Sequence, residues 1–153
     1  MRVWRLCRRK HAAFDGEGAR LAGGRWNRKG TAVVYVSETL SLAALEYLVH
    51  LDIALAPDDL VAAPAEIPDA LPVTRLEAAD LPRGWRRYPA PEALGELGTA
   101  WASARRTAVL SVPSAVVPQE RNLILNPAHP DFPKIRPHPP ERFSFDPRLL
   151  GRL

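Results

Sequence analysis

Short β-branched runs and two longer stretches with helical spacing of apolar positions divide the chain. Residues 2–7 read as a strand with Val3, Arg5 and Cys7 on one face and Trp4 and Leu6 on the other. Residues 31–37, Thr-Ala-Val-Val-Tyr-Val-Ser, are β-branched and aromatic and predict the best strand in the sequence. Ser37 at its end is placed to cap a following helix, with Glu38 favourable to the helix dipole. Residues 39–51, rich in Leu and Ala, predict that helix. A strand follows over 60–67, broken by Pro64. A second helix is predicted over 91–106, with Pro91 in its first turn and Arg105 and Arg106 at its end. Residues 108–112 and 122–125 predict two short strands. The glycines at 16, 18, 23 and 24 predict a loop over 11–24. From Asn126 onward the chain is Pro-rich, with Ile135, Phe143 and Phe145 as tethers. Strands and helices do not alternate regularly, so an α+β fold with a mixed or antiparallel sheet is expected.

Length and composition narrow the class. A chain of 153 residues suits one domain, spanning residues 1–153, and 46% hydrophobic residues support a core. No apolar run is long enough to span a membrane. The first residues lead into charge and not into a signal region, so a cytoplasmic protein is expected. Cys7 stands alone, which excludes an intrachain disulfide. The net charge of +4 fits either an anionic partner or a solvated, Arg-rich surface, since arginine is spread along the whole chain. Sixteen prolines read as rigid loops over a folded domain, because apolar segments keep returning between them.

Five residues carry candidate chemistry. Glu46 is the only formally charged side chain between 39 and 51. A helix this apolar is expected to be largely buried, where a carboxylate needs a partner. The other reading puts Glu46 on a solvated stripe with His50. Arg25 follows Gly23-Gly24, where backbone can approach a ligand and a guanidinium can grip phosphate oxygens; an ordinary surface turn fits too. Tyr35 either stacks on a flat heterocycle or belongs to the core. Ser114 lies between Pro113 and Pro118, which fix its direction, but no Gly-x-Ser-x-Gly elbow surrounds it; it is otherwise a turn serine. Arg5 either meets an anion or a carboxylate, or reaches solvent from an edge. His11, His50, His129 and His138 lack zinc-site spacing, so no metal is expected. Neither a P-loop nor Gly-x-Gly-x-x-Gly occurs.

Together these pieces resemble the RES family, the toxin half of RES–Xre toxin–antitoxin pairs. The resemblance runs through Trp4-Arg5, Gly-Gly-Arg-Trp-Asn (23–27), Val-Val-Tyr-Val-Ser-Glu (33–38) and the segment 41–50. It closes with Val-Pro-Ser (112–114) and residues 120–132, Glu-Arg-Asn-Leu-Ile-Leu-Asn-Pro-Ala-His-Pro-Asp-Phe. It implies an ADP-ribosyltransferase-like fold and cleavage of NAD, as substrate, at the nicotinamide–ribose bond. It also implies a catalytic site of Arg25, Tyr35 and Glu46, with Arg25, Tyr35, Arg5 and, across from them, Ser114 as NAD-binding residues. The expected partner is an Xre/Cro-type helix-turn-helix antitoxin in a hetero-oligomer, through which alone nucleic acid would be touched. The acceptor, whether water, phosphate or a protein side chain, stays open; NAD depletion is the favoured outcome. The competing readings are a nucleic-acid-binding module or nuclease, suggested by the basic charge and Trp4, Trp26, Trp85 and Trp101, and a non-catalytic interaction domain.

Overall fold

β1 (Arg2–Arg8) and β3 (Leu60–Glu66) pair antiparallel along their whole length, from Arg2 opposite Glu66 to Arg8 opposite Leu60. This ladder anchors one mixed sheet. β2 (Val34–Ser37), β4 (Val73–Arg75), β5 (Val109–Pro113) and β6 (Arg121–Leu125) complete the order β4-β5-β6-β2-β1-β3. Two-residue strands β7 (Arg136–Pro137) and β8 (Glu141–Arg142) close the outer edge of β3. All pairs are antiparallel except β4 with β5. The computed structural model describes residues 1–152; the expected domain extends to Leu153, which lies outside them.

The mixed α+β architecture agrees with the sequence, and several boundaries differ. Pro64 does not break β3. Its carbonyl accepts from His138 N (2.9 Å), so the position of its missing N–H points to the outer edge, in the gap between β7 and β8. The strand expected over 31–37 begins only at Val34. The loop expected over 11–24 contains a helix, α1 (Glu17–Ala22). β4 is three residues long and half-exposed, too short for a periodic signal.

Thr39, not Ser37, caps α2 (Leu40–Leu48): its side chain accepts from Leu42 N at 3.1 Å. The helix is also less buried than its composition implies. Only Leu42 and Ala43 are buried, while Leu45 and Val49 are 41% and 53% exposed. Ala43 packs with Leu6 and Leu60 on one side, and the opposite flank borders open space. Full burial of one side chain such as Leu42 contributes about 1.5–3 kcal/mol, so one stripe is enough to seat the helix.

α3 (Glu92–Ala104) lies over Trp26 through Gly98. A Cβ at Gly98 would sit 1.8 Å from the Trp26 carbonyl oxygen, so only glycine permits this approach. Leu94, Ala102, Trp26, Val33, Leu110 and Ile124 form the core beneath it. On the other face Val3, Val34, Val36, Leu123 and Leu125 pack with Ile135, one of the expected tethers of the tail. Phe145 and Phe143 tie down the rest of the tail beside α2. Among the described residues, no helix is long and apolar enough to cross a membrane.

Candidate active site

A cleft of about 670 Å³ opens between α2, the glycine-rich segment before β2 and one end of the sheet. That volume lies within the range of small-molecule and nucleotide sites. Arg5, Arg25, Tyr35 and Glu46 all line it; Trp4, Ser37, His50 and Asn122 join them. Four of the five residues singled out in the sequence therefore meet in one cavity, although they come from three strands or loops and a helix.

Glu46 is half-buried on the cleft flank of α2. Its Oε1 accepts two short hydrogen bonds, from Ser114 Oγ and from Asn122 Nδ2, both at 2.6 Å. Ser114 is fully buried, and its hydroxyl accepts in turn from the backbone N–H groups of Val116 and Val117, each at 3.0 Å. This serine stands behind Glu46 and not on the cleft wall, where Pro113 and Ala115 appear instead. The Ser114 hydroxyl points toward the carboxylate, held there by these bonds.

Tyr35 is built into the opposite wall. Its hydroxyl donates to Asn27 Oδ1 (2.7 Å) and accepts from Trp26 N (3.0 Å). Burial pushes the phenol pKa well above its ordinary value, so it stays protonated. Asn27 is buried and spreads its amide over the carbonyls of Ala19 (2.8 Å), Arg28 (3.2 Å) and Thr31 (3.1 Å). A Cβ at Gly24 would come within 2.7 Å of the Tyr35 hydroxyl. The glycine thus lets the phenol reach the backbone turn that carries Arg25.

The two arginines are differently placed from the carboxylate. Arg25 donates to the Trp85 carbonyl (2.7 Å) and Arg5 to the Ala13 carbonyl (2.8 Å). Among the described residues neither forms an ion pair. Burial pulls the Arg25 guanidinium down from its ordinary value, and the field of Glu46 opposes that shift. A half-buried guanidinium that is unmatched by a carboxylate keeps donors for an anion.

Sequence reasoning missed Asn122, Asn27 and Ser37. Asn122 lay within a quoted stretch, 120–132, but nothing in its neighbours marks it; only the pairing of β6 with β2 brings it to Glu46. Arg121 was likewise unmarked. It is a buried brace, donating to Ser111 Oγ (2.7 Å), to the Ser111 carbonyl (3.0 Å) and to the Leu76 carbonyl.

A family model described as the RES domain matches residues 2–146. The chain belongs to the RES family. This RES domain is 39% identical to the Prs ADP-ribosylating toxin of Sphingobium sp. (strain YBL2), covering 97% of the chain and 96% of that protein. It is also 39% identical to Toxin Res of Yersinia enterocolitica, over 97% and 99%. Among solved structures it resembles a chain of the M. tuberculosis MbcT–MbcA toxin–antitoxin complex, with a TM-score of 0.75 and 18% identity over 98% of this RES domain and 86% of that chain. The last likeness is one of fold.

Proposed function

We propose that this RES domain is the toxin of a toxin–antitoxin pair and that it cleaves NAD at the nicotinamide–ribose bond. The observation that carries the reading is a carboxylate, Glu46, fixed through one oxygen and facing a nucleotide-sized cleft that also holds two arginines without carboxylate partners among the described residues. The names of the relatives support the toxin role.

In the reaction the C–N bond breaks and nicotinamide leaves with the bonding pair as a neutral base. Positive charge then develops on the ribose ring. Glu46 is the group that offsets this charge and accepts from the ribose hydroxyls. Arg25, aided by Arg5, holds the diphosphate. The Tyr35 ring packs against nicotinamide or ribose, with its hydroxyl already committed to Asn27 and Trp26. Ser114 serves by holding Glu46. The favoured outcome is depletion of NAD by transfer to water or phosphate. A second acceptor, a protein side chain, is favoured by the name of the Sphingobium relative. An Xre/Cro-type helix-turn-helix antitoxin is the expected partner.

Incubating the purified chain with NAD and following nicotinamide release tests the cleavage. Expression alone is expected to stop growth with a fall in cellular NAD, and co-expression of the antitoxin to reverse both. Growth arrest at constant NAD, with labelled ADP-ribose retained on a protein, decides for the protein acceptor. No nicotinamide release from folded protein overturns the reading.

A further inference from the structure

Three adjacent strands end at the same edge of the cleft, and each delivers one polar side chain there. β5 runs out into Ser114, β6 begins with Arg121 and Asn122, and β2 finishes on Ser37. Ser37 and Asn122 are direct cross-strand partners in the β2–β6 ladder, which puts their side chains on one face. Ser37 Oγ donates to Asn122 Oδ1 at 2.7 Å, and Asn122 Nδ2 donates to Glu46 Oε1 at 2.6 Å. Ser114 reaches the same oxygen from β5.

The chemistry of the groups fixes the sense of this chain. An ionised carboxylate only accepts, so Asn122 must turn its amide nitrogen toward Glu46. Its carbonyl oxygen then faces Ser37, which is forced to donate. Two donors converge on Oε1, while Oε2 accepts from no protein group among the described residues. The carboxylate is therefore held asymmetrically, with one oxygen spent on the sheet and the other left for a ligand.

We infer that Ser37 and Asn122 are positioning residues that act through Glu46: the relay Ser37–Asn122–Glu46 sets the orientation of the carboxylate and leaves Oε2 as its working atom. The effect on turnover rests on the NAD-cleavage reading; the orientation itself does not. Ser37 has no hydrogen bond to Glu46, so any influence it has on the carboxylate passes through Asn122.

Two measurements test this. In nicotinamide-release kinetics, N122D keeps the shape of the side chain and still accepts from Ser37, but offers Glu46 no donor. A kcat loss of roughly 10- to 100-fold with KM nearly unchanged is expected for it. S37A is expected to lose roughly fivefold in kcat, and S37T, which restores the hydroxyl, to recover most of that. In the pair S37A/N122A, the loss is expected to equal that of N122A alone, because both act through one contact. Wild-type kcat in N122D and S37A, or multiplicative losses in the pair, overturns the relay. The second measurement needs no activity. In 15N-labelled protein the Asn122 side-chain amide signal, identified by its disappearance in N122A, is expected to shift in E46A and in S37A. An unmoved signal in both overturns the relay, whatever the substrate. Absence of nicotinamide release from wild type, together with a shifted amide, overturns the NAD reading and leaves the relay standing.

Discussion

Glu46 and Arg25 line the same cleft, yet the walls that carry them are held in unlike ways. On the carboxylate wall Glu46 comes from α2 and is braced by strand ends. The polar groups of this wall are buried or half-buried, bonded side chain to side chain and backed by backbone N–H groups of residues 116 and 117. On the cationic wall Arg25 comes from a loop and Arg5 from β1. Arg25 and Arg5 each lean on one backbone carbonyl, of Trp85 and Ala13. A carboxylate drawn partly out of water needs donors in place before any ligand arrives. A guanidinium keeps donors to spare after one bond, so it can be held loosely and still close on an anion. The molecule therefore fixes the charge that would act on developing positive charge, and leaves spare donors on the charges that would grip the substrate.

The sharpest way to break this comparison is Glu46→Gln. The shape survives, but the charge goes, and nicotinamide release is expected to fall roughly 10²–10³-fold. Circular dichroism and the melting curve should stay close to wild type. Activity within a few-fold of wild type would remove the carboxylate wall from the chemistry.

Gly98→Ala tests what supports the loop that carries Arg25. The added methyl group meets the Trp26 carbonyl oxygen, a backbone atom that cannot step aside alone. A loss of about 3 kcal/mol in urea unfolding is expected, the upper end for overpacking. Unchanged stability would mean that α3 does not pin the loop.

Tyr35→Phe should cost about 1–3 kcal/mol, because Asn27 Oδ1 and Trp26 N each lose a partner. The same substitution should lower NAD affinity less than it lowers stability, since the hydroxyl is spent on the wall. The reverse ranking, read by calorimetry and denaturant titration, would put the hydroxyl on the ligand.

Arg25→Lys is the gentlest change. It keeps the charge and loses the planar fork, so NAD binding should weaken about tenfold with little change in melting temperature. Equal affinity of the two proteins would take the diphosphate away from Arg25.

The residue pattern alone carried a good part of this. Short apolar segments, β-branched in β2 and alternating in β1, located β1, β2, β5 and β6, because such patterns reflect local backbone geometry. The lone charge in an apolar helix marked Glu46, and the paired glycines marked Arg25, since each breaks a local rule visible in a few neighbours. The family resemblance added the expected activity and joined the five candidates into one site. What the sequence could not supply were the contacts between residues far apart in the chain. Glu46 and Asn122 are 76 residues apart and Ser37 and Asn122 are 85 apart; their meeting depends on which strands pair and in what register. The true cap of α2, the persistence of β3 through Pro64 and the half-exposed state of α2 were decided in the same way. Local propensity sets what a segment can form, but burial and partners are set by the neighbours that the fold brings to it.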